Sequence, residues 1–219
     1  MERLKKFLLE NWKWIILFIC VISFIFLVED VMDSDIMIFD TKCYKFISLH
    51  LISDVMTPIA KFITNFGGPY WFVGFTIFLL FIIRNRKIGI SILLNLSIST
   101  FTNYTLKQIL HRPRPTEFRI IDESGYSLPS GHSMVSMAFY GYLIYLIYKK
   151  IKNKYIKISL IVFLSILIVS IGISRIYLGV HYTSDVIAGF LVAISYLIIY
   201  TNTIKKVVID NKKQTNEIK

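Results

Sequence analysis

The sequence predicts an all-α protein: a bundle of six transmembrane helices, with an amphipathic helical segment between the first two spans. Three observations predict it. Hydrophobic residues make up 55% of the 219 residues and charged residues only 18%, whereas a soluble domain carries about a quarter charged residues. The apolar residues gather into six long runs, each of a length that suits a membrane helix once its polar and aromatic ends reach the interface. Lys and Arg cluster in every second loop. The mean hydropathy of +0.60 agrees. This composition excludes a disordered chain, a coiled coil and a disulfide scaffold. Cys20 and Cys43 have no metal-ligand spacing and read as two free thiols.

The six predicted spans are approximately 12–28, 69–83, 88–110, 133–148, 156–173 and 183–200. The first follows Arg3, Lys5 and Lys6 but no small-residue cleavage site comes after it, which predicts an uncleaved anchor helix. Residues 29–68 form the one long connection. Tyr44, Ile47, Leu51, Val55, Ile59 and Phe62 recur there at helical spacing, so one or two amphipathic helices at the outer interface are expected, broken near Pro58. Residues 205–219 read as a polar cytoplasmic tail. The whole chain reads as a single domain.

Charge orients these spans. With six of them, seventeen of the twenty-five Lys and Arg fall on one side, in the N-terminal segment, the 84–87 and 149–157 loops and the tail, against four acidic residues. The other side holds eight basic and ten acidic residues. Because Lys and Arg stay cytoplasmic, both termini are expected inside. The net charge of +11 also invites a nucleic-acid reading, but its clustering between apolar runs argues for a lipid bilayer as the partner and against nucleic acid.

Three polar groups remain, all predicted at the outer face. Lys107 lies seven residues before Arg114-Pro115; Pro129-Ser130-Gly131-His132 opens the fourth span; Ser174-Arg175 is followed by His181 and Asp185. Polar residues beside spans are costly and therefore functional candidates. A phosphoryl group in transfer spreads charge over three oxygens and needs cations and N–H donors already in place. Lys107, Arg114 and Arg175 are such cations, and the helix start at Ser130 and Gly131 offers N–H groups. His181 and Asp185, four apart, share a helix face, so the carboxylate can hold one ring nitrogen protonated and leave the other free to attack. Two His and one Asp also suggest zinc, but three cations around them would repel it. Arg112 and Arg119 read as lipid-headgroup anchors, and His111 as interfacial. Asn95 and Asn103 sit in glycosylation sequons, discounted because they lie within a span.

Lys-x6-Arg-Pro, Pro-Ser-Gly-His and Ser-Arg-x5-His-x3-Asp resemble the three signature motifs of the type 2 phosphatidic acid phosphatase (PAP2) superfamily, in that family's order and without departure at a defining position. The resemblance covers 107–185. It implies a bundle of the PAP2 type, His181 as the nucleophile that forms a phosphohistidine, Asp185 orienting it, and His132 as general acid. It also implies a phosphate clamp of Lys107, Arg114, Ser130, Gly131 and Arg175, with no metal or other cofactor. The function expected is hydrolysis of a phosphate or diphosphate from a membrane lipid. Compact bacterial members, with a bacterial cell membrane as location, are the nearest likeness. An outward site favours undecaprenyl diphosphate over phosphatidylglycerophosphate and phosphatidate. A lipid phosphotransferase, or a transporter on the same fold, stays open as an alternative, and the oligomeric state is open too.

Overall fold

The computed structural model describes residues 2–33, 36–117 and 119–209. Among them lie eight helices and no strand: α1 (Glu2–Asp33), α2 (Ile38–His50), α3 (Met56–Asn65), α4 (Pro69–Ile82), α5 (Arg86–Leu110), α6 (Gly131–Lys150), α7 (Lys154–Tyr177) and α8 (Thr183–Ile209). Local chemistry marks their ends. Asn85 Oδ1 accepts from the amides of Lys87 and Ile88, and Asn153 Oδ1 from those of Tyr155 and Ile156, which caps α5 and α7. Pro69 occupies the first turn of α4, where its missing N–H costs nothing. Leu110 ends α5 because His111 turns left-handed, with φ 48°, and the prolines at 113 and 115 cannot resume the helix.

Helix α6 is the axis of the bundle, packed by α5, α7 and α8, while α1 lies along α8 and α3 along α7. Phe139, Tyr140 and Tyr142 of α6 are buried, with Phe72, Ile92, Ile168 and Ile171 around them. Ser91, Asn95, Ser99 and Asn103 recur every four residues on α5 and are all buried. Small and polar side chains let helices approach closely and bond to one another. Ser91 Oγ lies 2.7 Å from Tyr142 OH, and Asn103 Nδ2 donates to Pro129 O at 3.2 Å. Asn95 and Asn103 thus belong to the interior, as the discounted sequons require.

The outer walls are apolar. Phe18, Phe26, Tyr70, Phe81, Phe101 and Phe163 are exposed, the face of a protein solvated by lipid. Segments 7–33 of α1, 154–177 of α7 and 183–205 of α8 are each long and apolar enough to cross a membrane, and α3 with α4, bent by 51°, qualify together as a fourth. The protein is an integral membrane protein. The predicted spans 88–110 and 133–148 fall inside α5 and α6, whose inward faces carry the polar residues just named. That interior polarity dilutes their hydropathy.

The segment 29–68 differs in detail from its prediction. Residues up to Asp33 continue α1, the break falls at 51–55, and Pro58 sits in the first turn of α3 instead of at the break. Nor do these helices merely lie at an interface: α2 and α3 pack on α7 and α8, and each sends a polar side chain into the interior. The tail beyond Ile209 lies outside the described residues.

Candidate active site

The C-terminal ends of α5 and α7 and the N-terminal ends of α6 and α8 meet, and all eight predicted site residues gather there. Gly189 makes part of this possible. A Cβ on it would stand 3.0 Å from Ser130 O and 3.1 Å from Met134 N, so only glycine lets α8 cross the start of α6. Gly179, at φ 68°, provides the left-handed turn that ends α7 and brings the chain round to His181. Ser130 caps α6, its Oγ accepting from Ser133 Oγ at 2.9 Å, and its own amide donates to Asp185 O at 3.0 Å. The glycine at 131 faces Asn103: an added Cβ would meet Asn103 Oδ1 at 3.0 Å and Lys107 Cε at 4.0 Å.

His181 is 2% exposed. Its Nδ1 is 3.3 Å from Asp185 Oδ2, and Arg114 NH1 is 3.0 Å from its Nε2. A guanidinium only donates, so Nε2 accepts, and the ring proton sits on Nδ1 facing the carboxylate. Burial, then the positive charges of Arg114, Arg175 and Lys107, push the imidazole well below its ordinary range. His181 is therefore a neutral ring with its lone pair turned toward cations. His132 lies in the first turn of α6, where burial and then the positive charge of Arg175 push its imidazole well below the ordinary range. Its ring covers the turn between α3 and α4, where a side chain at Gly67 would come within 3.0 Å of its Cδ2.

The three cations are held by backbone carbonyls, one hydroxyl and one carboxylate. Lys107 Nζ donates to Tyr126 O at 2.5 Å; Arg114 donates through Nε to Gly125 O at 3.0 Å and through NH1 to Val180 O at 3.0 Å. Arg175, 1% exposed, donates to Thr64 Oγ1 of α3 at 2.9 Å and pairs closely with Glu123. The other oxygen of Glu123 lies 4.0 Å from Arg114 NH2. A carboxylate thus bridges the two guanidiniums, the place two oxygens of a phosphate would take.

Several residues at this site were not anticipated. Arg112 is no headgroup anchor: it is 3% exposed, donates to Asp185 Oδ1 at 2.7 Å and to Asp40 Oδ2 at 3.0 Å, and lies 4.2 Å from the Tyr182 ring. Its interfacial reading rested on an exposure it does not have. Arg119 is exposed. Asp40 and Thr64 had no spacing signal, because they come from helices far from the motifs in the chain; Glu123 lies in the loop between the first two motifs, at a position neither of them specifies. A cavity of about 400 Å³ runs from between α2 and residues 115–117 to His181, lined by Asp40, Tyr44, Lys45, Glu117 and Thr183 among others. Among the described residues no group of three or more His, Cys, Asp or Glu could hold a metal ion.

Residues 88–209 match the family described as the PAP2 superfamily. The chain is 32% identical over 144 residues to phosphatidylglycerophosphatase B of Bacillus subtilis, spanning 64% of this chain and 68% of that protein. It is 29% identical over 180 residues to undecaprenyl-diphosphatase of Sulfolobus acidocaldarius, spanning 77% and 82%. Of solved structures, the transmembrane PAP2 type phosphatidylglycerolphosphate phosphatase of Bacillus subtilis superposes with a TM-score of 0.79 at 24% identity, covering 87% of this chain and 96% of that one. Aquifex aeolicus LpxE gives 0.61 at 23% identity, covering 76% and 99%. The fold, the matched residues and the named relatives agree: this chain belongs to the PAP2 superfamily, as a phosphoric-ester hydrolase.

Proposed function

We propose that the protein removes a phosphate or diphosphate head group from a membrane lipid through a phosphohistidine, with six spans and the site at the extracytoplasmic face. The observation that carries this reading is the state of His181. Its Nε2 is unprotonated, its Nδ1–H is held by Asp185, and Arg114, Arg175 and Lys107 lie around it.

The chemistry follows from those positions. The substrate phosphate displaces Glu123 from the two guanidiniums and takes N–H groups at the start of α6. The Nε2 lone pair forms a bond to phosphorus while the bond to the leaving oxygen breaks, and His132 gives that oxygen its proton. Water then attacks the phosphohistidine, losing its proton to His132, and the N–P bond breaks to release phosphate. Three cations offset the negative charge that develops on the phosphoryl oxygens. The cavity beside α2 supports entry of the head group from the membrane flank.

Undecaprenyl diphosphate is the favoured substrate, because an outward site meets that carrier without a prior flip; of the relatives named above, one is an undecaprenyl-diphosphatase and one a phosphatidylglycerophosphatase. Purified protein in detergent with EDTA is expected to release phosphate from undecaprenyl diphosphate, phosphatidylglycerophosphate and phosphatidate offered at matched surface concentration, fastest from the first. Equal or reversed preference would remove the substrate assignment. Absence of release until a lipid acceptor is supplied would replace hydrolysis by phosphotransfer.

Topology has its own test. In a background with Cys20 and Cys43 changed to serine, Asp122→Cys is expected to react with an impermeant thiol reagent on intact cells and Lys152→Cys only after lysis; both positions are exposed. The reverse pattern would invert the orientation.

A further inference from the structure

We propose that Asp40 of α2 acts through Arg112 as a positioning residue for the reaction, setting the charge balance behind the Asp185–His181 pair. It rests on the assignment of His181 as the reacting group, and it brings in a residue outside 88–209, the part of the chain that matches the family.

The geometry is a chain of alternating charge. Arg112 divides its guanidinium between two carboxylates, NH1 to Asp185 Oδ1 at 2.7 Å and NH2 to Asp40 Oδ2 at 3.0 Å. Asp185 then offers its second oxygen to the Tyr182 amide at 2.9 Å and to His181 Nδ1 at 3.3 Å. Ser184 ties the parts together. Its amide donates to Asp40 Oδ1 at 2.7 Å, its Oγ donates to Asp40 Oδ2 at 2.5 Å, and it accepts from Arg112 NH1 at 2.8 Å. Asp40 therefore sits on the first turn of α8, where the helix dipole favours a negative charge. The side chains of Asp40, Arg112 and Asp185 are each at most 2% exposed.

A buried ion cluster of this kind contributes little net stability compared with apolar packing, so docking α2 does not by itself account for it. Its charge does. Arg112 bonded to Asp185 alone would cancel that carboxylate and weaken its hold on the Nδ1 proton. Asp40 takes up the other half of the guanidinium and restores one net negative charge behind His181. That charge becomes important when Nε2 bonds phosphorus and the ring turns cationic, because every other charge facing the ring except Glu123 is positive. Those facing it are Arg114, Arg175 and Lys107; the titratable ring of His132 lies across the site.

Two variants test this by charge alone. Asp40→Asn and Asp40→Ser remove the charge and keep an oxygen toward Ser184 N; the expected result is a tenfold or so fall in kcat with KM within about threefold. The protonation midpoint of His181 is also expected to drop by about half a unit to one unit, because the imidazolium loses its counter-charge. The acid limb of kcat/KM reports that midpoint, and ¹⁵N NMR of the ring, assigned by its loss in His181→Ala, follows it without turnover. Asp40→Glu keeps the charge and is expected to keep the midpoint. In Asp40→Asn/Arg112→Gln, with both charges gone, the midpoint is expected to return toward the parent value. A midpoint unmoved in the charge-removing variants overturns the proposal, as does failure of both to fold, which would assign Asp40 to docking α2. Activity surviving in His181→Ala would instead overturn the nucleophile assignment, leaving the NMR result to judge Asp40.

Discussion

His181→Ala is expected to lower lipid-phosphate hydrolysis to background, a loss on the order of 10⁴-fold or more, because the proposed mechanism divides the reaction into two steps through this ring. The bundle should survive the change: the ring's bonds are to Arg114 and Asp185, and both have other partners. His132→Ala is expected to fall at least about 100-fold by a different route. Without a proton for the leaving oxygen the first step slows, and without a base for the water the second slows as well. Labelled substrate should therefore leave a phosphoenzyme on His132→Ala that is stable in alkali and lost in acid, and none on His181→Ala. Equal turnover by His181→Ala and the parent would remove the mechanism. Label retained on His181→Ala would move the nucleophile elsewhere.

Arg175→Gln is expected to cost about 10³-fold in kcat/KM, the loss that follows when one fixed donor is withdrawn from a developing oxyanion in a water-poor site. Arg175 is suited to that task because it is buried at the end of α7 and pinned by Thr64 of α3, so it needs no reorganisation when charge develops. Arg175→Lys is expected to recover only part of the loss, since an ammonium cannot grip two oxygens at once. The opposite sign is expected at Glu123. Its carboxylate bridges Arg175 and Arg114 from a side chain 30% exposed. Glu123→Gln takes a competing anion out of the clamp, and inhibition by orthovanadate should tighten by about tenfold, or about 1.4 kcal/mol. Vanadate inhibition unchanged in both Arg175→Gln and Glu123→Gln would show that phosphate binds elsewhere.

What was legible in the sequence was whatever depends on near neighbours in the chain. Six apolar runs, their lengths and the rhythm of Lys and Arg between them are local quantities; five of the runs lie within helices and the sixth, 69–83, ends one residue past α4. His181 and Asp185 could be paired because four residues on a helix place two side chains on one face, and Ser130 could be placed at a helix start because its hydroxyl accepts from an amide three residues on. The resemblance of three short motifs to the PAP2 superfamily joined these local facts into one expected site.

Only the tertiary structure decided which charges face which. Arg112 stands two residues from Arg114, and the Lys-x6-Arg-Pro spacing that picks out Arg114 gives Arg112 no role. Packing alone buries Arg112 behind Asp185, with Asp40 on its other side, and turns Arg114 toward His181. Glu123 reads as one more loop carboxylate until the fold seats it between two guanidiniums. Asp40 and Thr64 belong to helices whose amphipathic pattern predicts an interfacial face, yet docking on α7 and α8 turns one polar side chain of each inward. The physical reason is that each of these polar groups needs a partner. A buried polar or charged group is stable only beside a partner, and Arg112, Asp40 and Arg175 find theirs 52 to 144 residues away, by the closing of the bundle and not by periodicity along the chain.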